Sequence, residues 1–319
     1  MTTNDGPQVI AIEEHYWNRT VAEHYNIEEQ PKTTLDRLFD LGEGRLKEMD
    51  AAGIDFQVLS HGAPATQRMD PETAINMARL ANDELQETIL MHPERYAGFA
   101  ALPTPEPKEA ANELERTVIK YGFKGAMVHG LTNGVFFDDK RFWPIFERAE
   151  ILDVPLYIHP ALPHQAVIDV YFKDYAVKFP WLLRAGWGYT VETATQGIRL
   201  ILSGVFEKFP KLKIILGHLG ESLPFSLVRI DEALSRSKND LASFKDTFCE
   251  HFYITTSGNF STSALLCSVM EIGVDRIIFS VDWPFVENHS GISWMETIPF
   301  CKEDKEKILN GNVKKLLKI

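Results

Sequence analysis

Residues 9–15 read VIAIEEH, an apolar, β-branched run that ends in two carboxylates and an imidazole. A first strand feeding a phosphate-binding loop passes into glycines at this point, as in doubly wound open sheets. Glu13-Glu14-His15 stands there instead and makes an open sheet the weaker reading. Similar runs follow at 56–60 (FQVLS), 96–102 (YAGFAAL), 122–129 (GFKGAMVH), 155–160 (PLYIHP), 211–218 (KLKIILGH), 252–257 (FYITTS) and 276–283 (RIIFSVDW). Continuous apolar runs, unlike alternating ones, mark strands covered on both faces. Helical periodicity fills the intervals. It runs over 72–93 through Ile75, Ala78, Leu80, Leu85 and Ile89, and over 107–120 behind Pro107, a residue suited to a first helical turn. Further helices are expected at 139–152, 191–208, 261–272 and 303–317. Eight strands alternating with helices predict a closed (β/α)8 barrel of the TIM type, α/β in class, as one domain over residues 1–319.

Bulk properties narrow the function. The 319 residues are 45% hydrophobic and 24% charged, ordinary for a water-soluble chain that buries a sizeable core without staples. A net charge of −12 argues against a general nucleic-acid or anionic-membrane binder, since both need a basic face. A small anionic substrate stays compatible with it, because a pocket has its own local field. No apolar run approaches the roughly 20 residues of a membrane span. The polar start MTTNDGPQ lacks the pattern of a secretory leader. Cys249, Cys267 and Cys301 form neither a metal knuckle nor an even disulfide framework. Together these predict a cytoplasmic chain.

Barrel enzymes carry their chemistry at the carboxyl ends of the strands. Here the first run ends in Glu13 and His15, the fifth in His159, the sixth in His218 and the eighth in Asp282. Glu13 and His15, two apart on a strand, face the same way. Carboxylate mixed with imidazole suits one divalent ion such as Zn2+ or Mn2+. His24, His61, His92, His164, His251 and His289 lack such a context and are read as structural. The glycines around His218, in Gly217-His218-Leu219-Gly220-Glu221, permit a tight turn beside a ligand. Glu221 can return to hold the free imidazole nitrogen. The stretch 161–190, with Tyr171, Phe172, Tyr175, Phe179, Trp181, Trp187 and Tyr189, has no clear pattern. It reads as an aromatic loop that packs, covers a pocket or meets another subunit.

The pieces IEEH at 12–15, YIHP at 157–160, ILGHLGESLP at 215–224, YITTSGNF at 253–260 and FSVDWPF at 279–285 resemble the metal-dependent decarboxylases of the amidohydrolase superfamily. Among these the likeness is nearest to the γ-resorcylate (2,6-dihydroxybenzoate) decarboxylase branch. APATQ at 63–67 and RLANDEL at 79–85 support it, and it extends from Glu13 to NVKKLL at 312–317. The resemblance implies a barrel with one zinc or manganese ion held by Glu13, His15, His159 and Asp282, with His218 beside it in a catalytic role. It also implies a homodimer, or a tetramer of such dimers. Arg229, on a helix whose apolar stripe is Leu227, Ile230 and Leu234, would then lie near the partner's pocket and pair with an anionic substrate. Two places differ from the pattern: ALPH at 161–164, where relatives carry an Arg-Asn pair, and His129, where they carry asparagine. Both lie near where a substrate ring would sit.

The reaction expected is non-oxidative decarboxylation of an ortho-hydroxylated aromatic acid, reversible in principle. Asp282 would protonate the ring carbon, which requires its carboxyl to be protonated. His218, supported by Glu221, would stabilise charge or move the proton. Phe285 and Trp17 would wall the ring. The alternative is metal-dependent hydrolysis of an amide, ester or lactone, with Asp282 taking a proton from water. A non-catalytic barrel is a third reading, weakened because a purely structural site needs no spare acid.

Overall fold

The computed structural model describes residues 7–25, 30–237 and 242–319. Its strands are β1 (Ile10–Tyr16), β2 (Phe56–His61), β3 (Tyr96–Gly98), β4 (Ala100–Ala101), β5 (Ala126–His129), β6 (Leu156–His159), β7 (Ile214–Leu216), β8 (Phe252–Thr255) and β9 (Ile277–Ile278). The third apolar run supplies both β3 and β4. Phe99 N–H still reaches Leu59 O of β2, while Ala100 N–H turns to Gly125 O, ahead of β5. The wall therefore continues across the break. Every pairing between consecutive strands is parallel. The ends meet as well: His15 N–H donates to Trp283 O at 2.8 Å and Asp282 N–H to Glu13 O at 3.1 Å, closing the barrel.

Ile10, Ile12, Val58, Met127, Tyr157, Ile215 and Ile278, drawn from strands around the ring, pack together inside it. Val313 and Leu317 of the last helix, Asn312–Leu317, join this cluster. Ala11, Leu59, Val128, Ile158, Leu216 and Ile254 belong to the larger core between strands and helices. β1 breaks its own alternation. Its register with β2 shifts between Ala11 and Glu14, and the N–H groups of Ile12 and Glu13 both donate to Ser280 Oγ, at 2.7 and 2.6 Å. This bulge moves the inward face from Ile10 and Ile12 to Glu13 and His15, re-aiming the strand's polar end into the mouth.

Most expected helices are present, including Pro71–Met91, Pro107–Arg116, Trp143–Leu152 and Thr262–Ile272. The sequence reading passes over the helices at Lys32–Phe39, Glu43–Ala52, Phe244–His251 and Asn288–Thr297. The stretch 161–190 is not structureless. It folds into short helical turns at Gln165–Val167, Ile168–Phe172, Lys173–Ala176 and Pro180–Leu183, and its end opens the helix Gly188–Leu202. Among the described residues no helix is long and apolar enough to cross a membrane.

That helix buries Glu192, whose Oε1 has no hydrogen-bond partner. Burial lifts the carboxyl from 4.5 to about 7, against the lowering influence of the His164 N–H and the Arg68 charge. Between those two values the folded chain holds a proton that the unfolded chain has lost, so stability falls as pH rises through the interval. Glu192→Gln cannot ionise. Its melting temperature is expected to exceed wild type by several degrees above pH 7 and to converge on it near pH 5, as thermal melts across pH would show.

Candidate metal centre and pocket

The polar groups named at the strand ends converge at one mouth of the barrel. Glu13, His15, His159 and Asp282 each offer a ligand atom, and these atoms lie within 4.8 Å of one another. Glu13 Oε2 accepts the hydroxyls of Tyr157, Ser257 and Thr255, the last at 3.0 Å. The other oxygen, Oε1, faces inward, 3.3 Å from His159 Nε2 and 3.6 Å from His218 Nε2. His15 Nε2 lies 3.2 Å from Asp282 Oδ1. Glu13 Oε1, His15 Nε2 and Asp282 Oδ1 are buried without a hydrogen-bond partner. Buried polar atoms left unpaired are costly, and a shared cation satisfies all three. The donor mixture of two carboxylates and two imidazoles fits a divalent ion.

The imidazole tautomers follow from their other partners. His129 Nε2 lies 2.8 Å from His61 O and so carries the proton, leaving His129 Nδ1 as an acceptor. His159 Nδ1 stands 2.7 Å from Pro160 O and 3.1 Å from that acceptor, so its own proton sits there. His159 Nε2 is thereby left as a lone pair toward Glu13. Burial holds both His129 and His159 well below the ordinary imidazole range.

His218 follows β7 through Gly217. A side chain at Gly217 would meet Glu13 Oε2 at 2.8 Å, so only glycine lets the chain pass this close to the carboxylate. The backbone then coils through positive φ from His218 to Ser222, with Gly220 at φ 74° against Ile254. That coil brings Glu221 back, and its Oε1 accepts from His218 Nδ1 at 2.7 Å. His218 Nε2 is 3.7 Å from Asp282 Oδ2. Burial opposes a charge on His218, but Glu221 and Glu13 outweigh it and lift the imidazole well above its ordinary range. Burial likewise pushes the Asp282 carboxyl up, yet the adjacent imidazoles of His15 and His218 prevail and hold it below its ordinary value. The protonated Asp282 that the expected reaction requires must therefore draw its proton from a neighbour or from the change that substrate binding brings. Glu13, by contrast, is raised by burial.

Above these groups opens a pocket lined by Trp17, Pro160, Trp181, Arg184, Tyr189 and Phe285, with His159, His218 and Asp282 at its base. The Phe285 ring lies 5.8 Å from that of His15.

A family model described as amidohydrolase matches residues 12–319. The chain belongs to the amidohydrolase family. This amidohydrolase is 41% identical over 295 residues to the gamma-resorcylate decarboxylase of Polaromonas sp. (strain JS666), with 89% of each chain covered. It superposes on the dihydroxybenzoic acid decarboxylase of Polaromonas sp. JS666, solved with manganese and the inhibitor 2-nitroresorcinol. The TM-score is 0.91 at 40% identity, over 98% of this chain and 97% of that one. The 5-carboxyvanillate decarboxylase of Sphingomonas paucimobilis gives a TM-score of 0.92 at 32% identity, over 98% and 100% of the two chains.

Of the residues expected at the amidohydrolase's substrate, Trp17 and Phe285 line the pocket. His129 does not line it. It is buried behind His159, committed to His61 O and to the His159 ring. Arg229 is exposed on the helix Leu223–Ser235, outside the lining of its own pocket. The reading missed Arg184, the cation that the 161–190 stretch brings to the wall. The only hint in the sequence is an arginine flanked by aromatics, in WLLRAGWGY at 181–189.

His129→Ala removes one of the two acceptors that hold the His159 Nδ1–H, leaving Pro160 O, and opens a space behind the ring. Divalent-metal affinity is expected to fall about 10- to 100-fold, with KM at saturating metal little changed. Metal titration beside steady-state kinetics checks this, since loss of a wall residue would raise KM and spare the metal.

Proposed function

We propose that this chain, read as one barrel domain over 1–319, is a metal-dependent carboxy-lyase for ortho-hydroxylated aromatic acids of the 2,6-dihydroxybenzoate class. The observation that carries the reading is the set of buried, partnerless atoms on Glu13, His15 and Asp282 beneath an aromatic-walled pocket. Glu13, His15, His159 and Asp282 would hold the ion, and manganese is the metal bound in a similar decarboxylase. When bound there, the ion would supply Lewis-acid polarisation of the substrate's oxygens.

The chain's own residues do the rest. Direct loss of CO2 from an aromatic carbon would leave an aryl anion of prohibitive energy, so the carbon is protonated first. Trp17 and Phe285, both in the pocket lining, would wall the ring. His218, its Nδ1–H held by Glu221, passes the second proton, the one on Nε2, to Asp282 Oδ2. Asp282 delivers it to the ring carbon that bears the carboxylate. The C–C bond then breaks, CO2 leaves and the ring regains aromaticity. Hydrolysis gains no support, because the end of β5 offers His129, already committed to two partners, where a second metal would need a bridging lysine. The test is CO2 release from a panel of hydroxybenzoates with and without Mn2+. Release confined to acids with an ortho hydroxyl supports the reading, and turnover of esters or lactones alone contradicts it.

The assembly proposed is a homodimer, or a tetramer of such dimers, in the cytoplasm. Arg229 and the neighbouring Phe225, 84% exposed, stand on one helix with Val228, also exposed. Arg229→Ala is expected to raise KM more than it disturbs metal content. An active monomer in solution, with kinetics indifferent to this change, would refute the arrangement.

A further inference from the structure

Glu14 is a buried acid that the proposed reaction does not use. Beyond the β1 bulge its side chain leaves the inward face held by Glu13 and His15. Its Oε1 accepts the Val281 N–H at 2.9 Å and the Ser280 hydroxyl at 3.4 Å. Its Oε2 accepts the Trp283 N–H at 3.3 Å and the Gln57 amide at 3.4 Å. Between the two stapled N–H groups lies Asp282, at φ 76°, a conformation unfavourable for a residue with a side chain. Asp282's own N–H goes to Glu13 O at 3.1 Å, so residues 281–283 give all their N–H groups to two consecutive residues of β1. Arg45 braces the assembly. It donates to Gln57 Oε1 and to His15 O, both at 2.8 Å, and its guanidinium stacks over the Trp283 ring at 4.2 Å.

We propose that Glu14 is a positioning residue for the acid: its two side-chain oxygens, bridging the N–H groups of Val281 and Trp283, hold Asp282 in the left-handed conformation that turns its side chain to His15, His218 and the pocket. The inference rests on the reading of Asp282 as proton donor. Two side-chain oxygens are required because the clamp needs an acceptor at each end. Glutamine presents an NH2 to one of the two N–H donors, and aspartate is one methylene too short to reach both.

The experiment follows 2,6-dihydroxybenzoate decarboxylation by Mn2+-loaded wild type, Glu14→Gln, Asp282→Asn and the double variant, with bound manganese measured for each. Glu14→Gln is expected to lower kcat about 10- to 100-fold, with KM and manganese content close to wild type. Added to Asp282→Asn it should cost nothing more, since the group it positions is already gone. Wild-type kcat, loss of manganese in place of kcat, or an equal loss in both backgrounds would overturn the proposal. Should Glu14→Gln fail to fold, Glu14→Asp is expected to show the same kcat loss, and an unchanged kcat there overturns it too. Wild-type turnover by Asp282→Asn would instead remove the reading of Asp282, and this inference with it.

Discussion

Asp282→Asn is expected to lower decarboxylation by about 10²- to 10⁴-fold, the range spanned by an essential general acid, while the aromatic ligand still binds. The amide keeps an oxygen where Asp282 Oδ1 now faces His15, so the buried cluster retains its donor count. What disappears is the group that can take a proton from His218 and give it to carbon. The check is kcat from CO2 release beside the dissociation constant of a ring analogue such as 2-nitroresorcinol. A kcat within a few-fold of wild type would show that the proton travels by another route, with His218 itself as the nearest candidate at 3.7 Å.

Metal removal is expected to abolish turnover and leave the barrel standing. On the proposed reading, Glu13 Oε1, His15 Nε2 and Asp282 Oδ1 would lose their shared partner in the stripped protein, a local cost at one mouth of the barrel. The apolar interior does not pass through the site, and the closing bonds that adjoin it, His15 N–H to Trp283 O and Asp282 N–H to Glu13 O, are backbone bonds that need no ion. Circular dichroism should therefore change little on chelation, while the melting temperature rises again as Mn2+ is added back, because the ion binds the folded chain. Full activity in a rigorously metal-free sample would contradict the reading. Collapse of the fold would show that the cluster is structural first.

The barrel was legible because parallel strands covered on both faces leave continuous apolar runs, and VIAI, LYIH and KIIL are such runs. The clustering of Glu13, His15, His159 and Asp282 was legible for a related reason: closure of a parallel barrel brings all strand ends to one mouth. What escaped the sequence depends on register and on packing across elements. Alternation from Ile10 and Ile12 would have put Glu14, not Glu13, inside; the bulge reverses this, and its cause is Ser280, far along the chain. His129 was expected near the substrate ring from the resemblance, at a place where relatives carry asparagine. Yet its neighbour in the wall is His159, with which it is in register, and that pairing draws it behind the site. The 161–190 stretch lacks a long apolar period, so its short helical turns left no trace. The arrival of Arg184 and Tyr189 at the pocket follows from how those turns fold back. The direction of the Asp282 shift was not legible either, because the two imidazoles that outweigh its burial are remote in sequence.

The most direct test of proton-first decarboxylation is turnover of 2,6-dihydroxybenzoate by the Mn2+-loaded protein in D2O, with the product read by mass spectrometry and NMR. The account predicts CO2 and a resorcinol carrying one deuterium, placed at the carbon that held the carboxylate. No CO2, or a product that instead carries oxygen from solvent, would contradict it and point to hydrolysis.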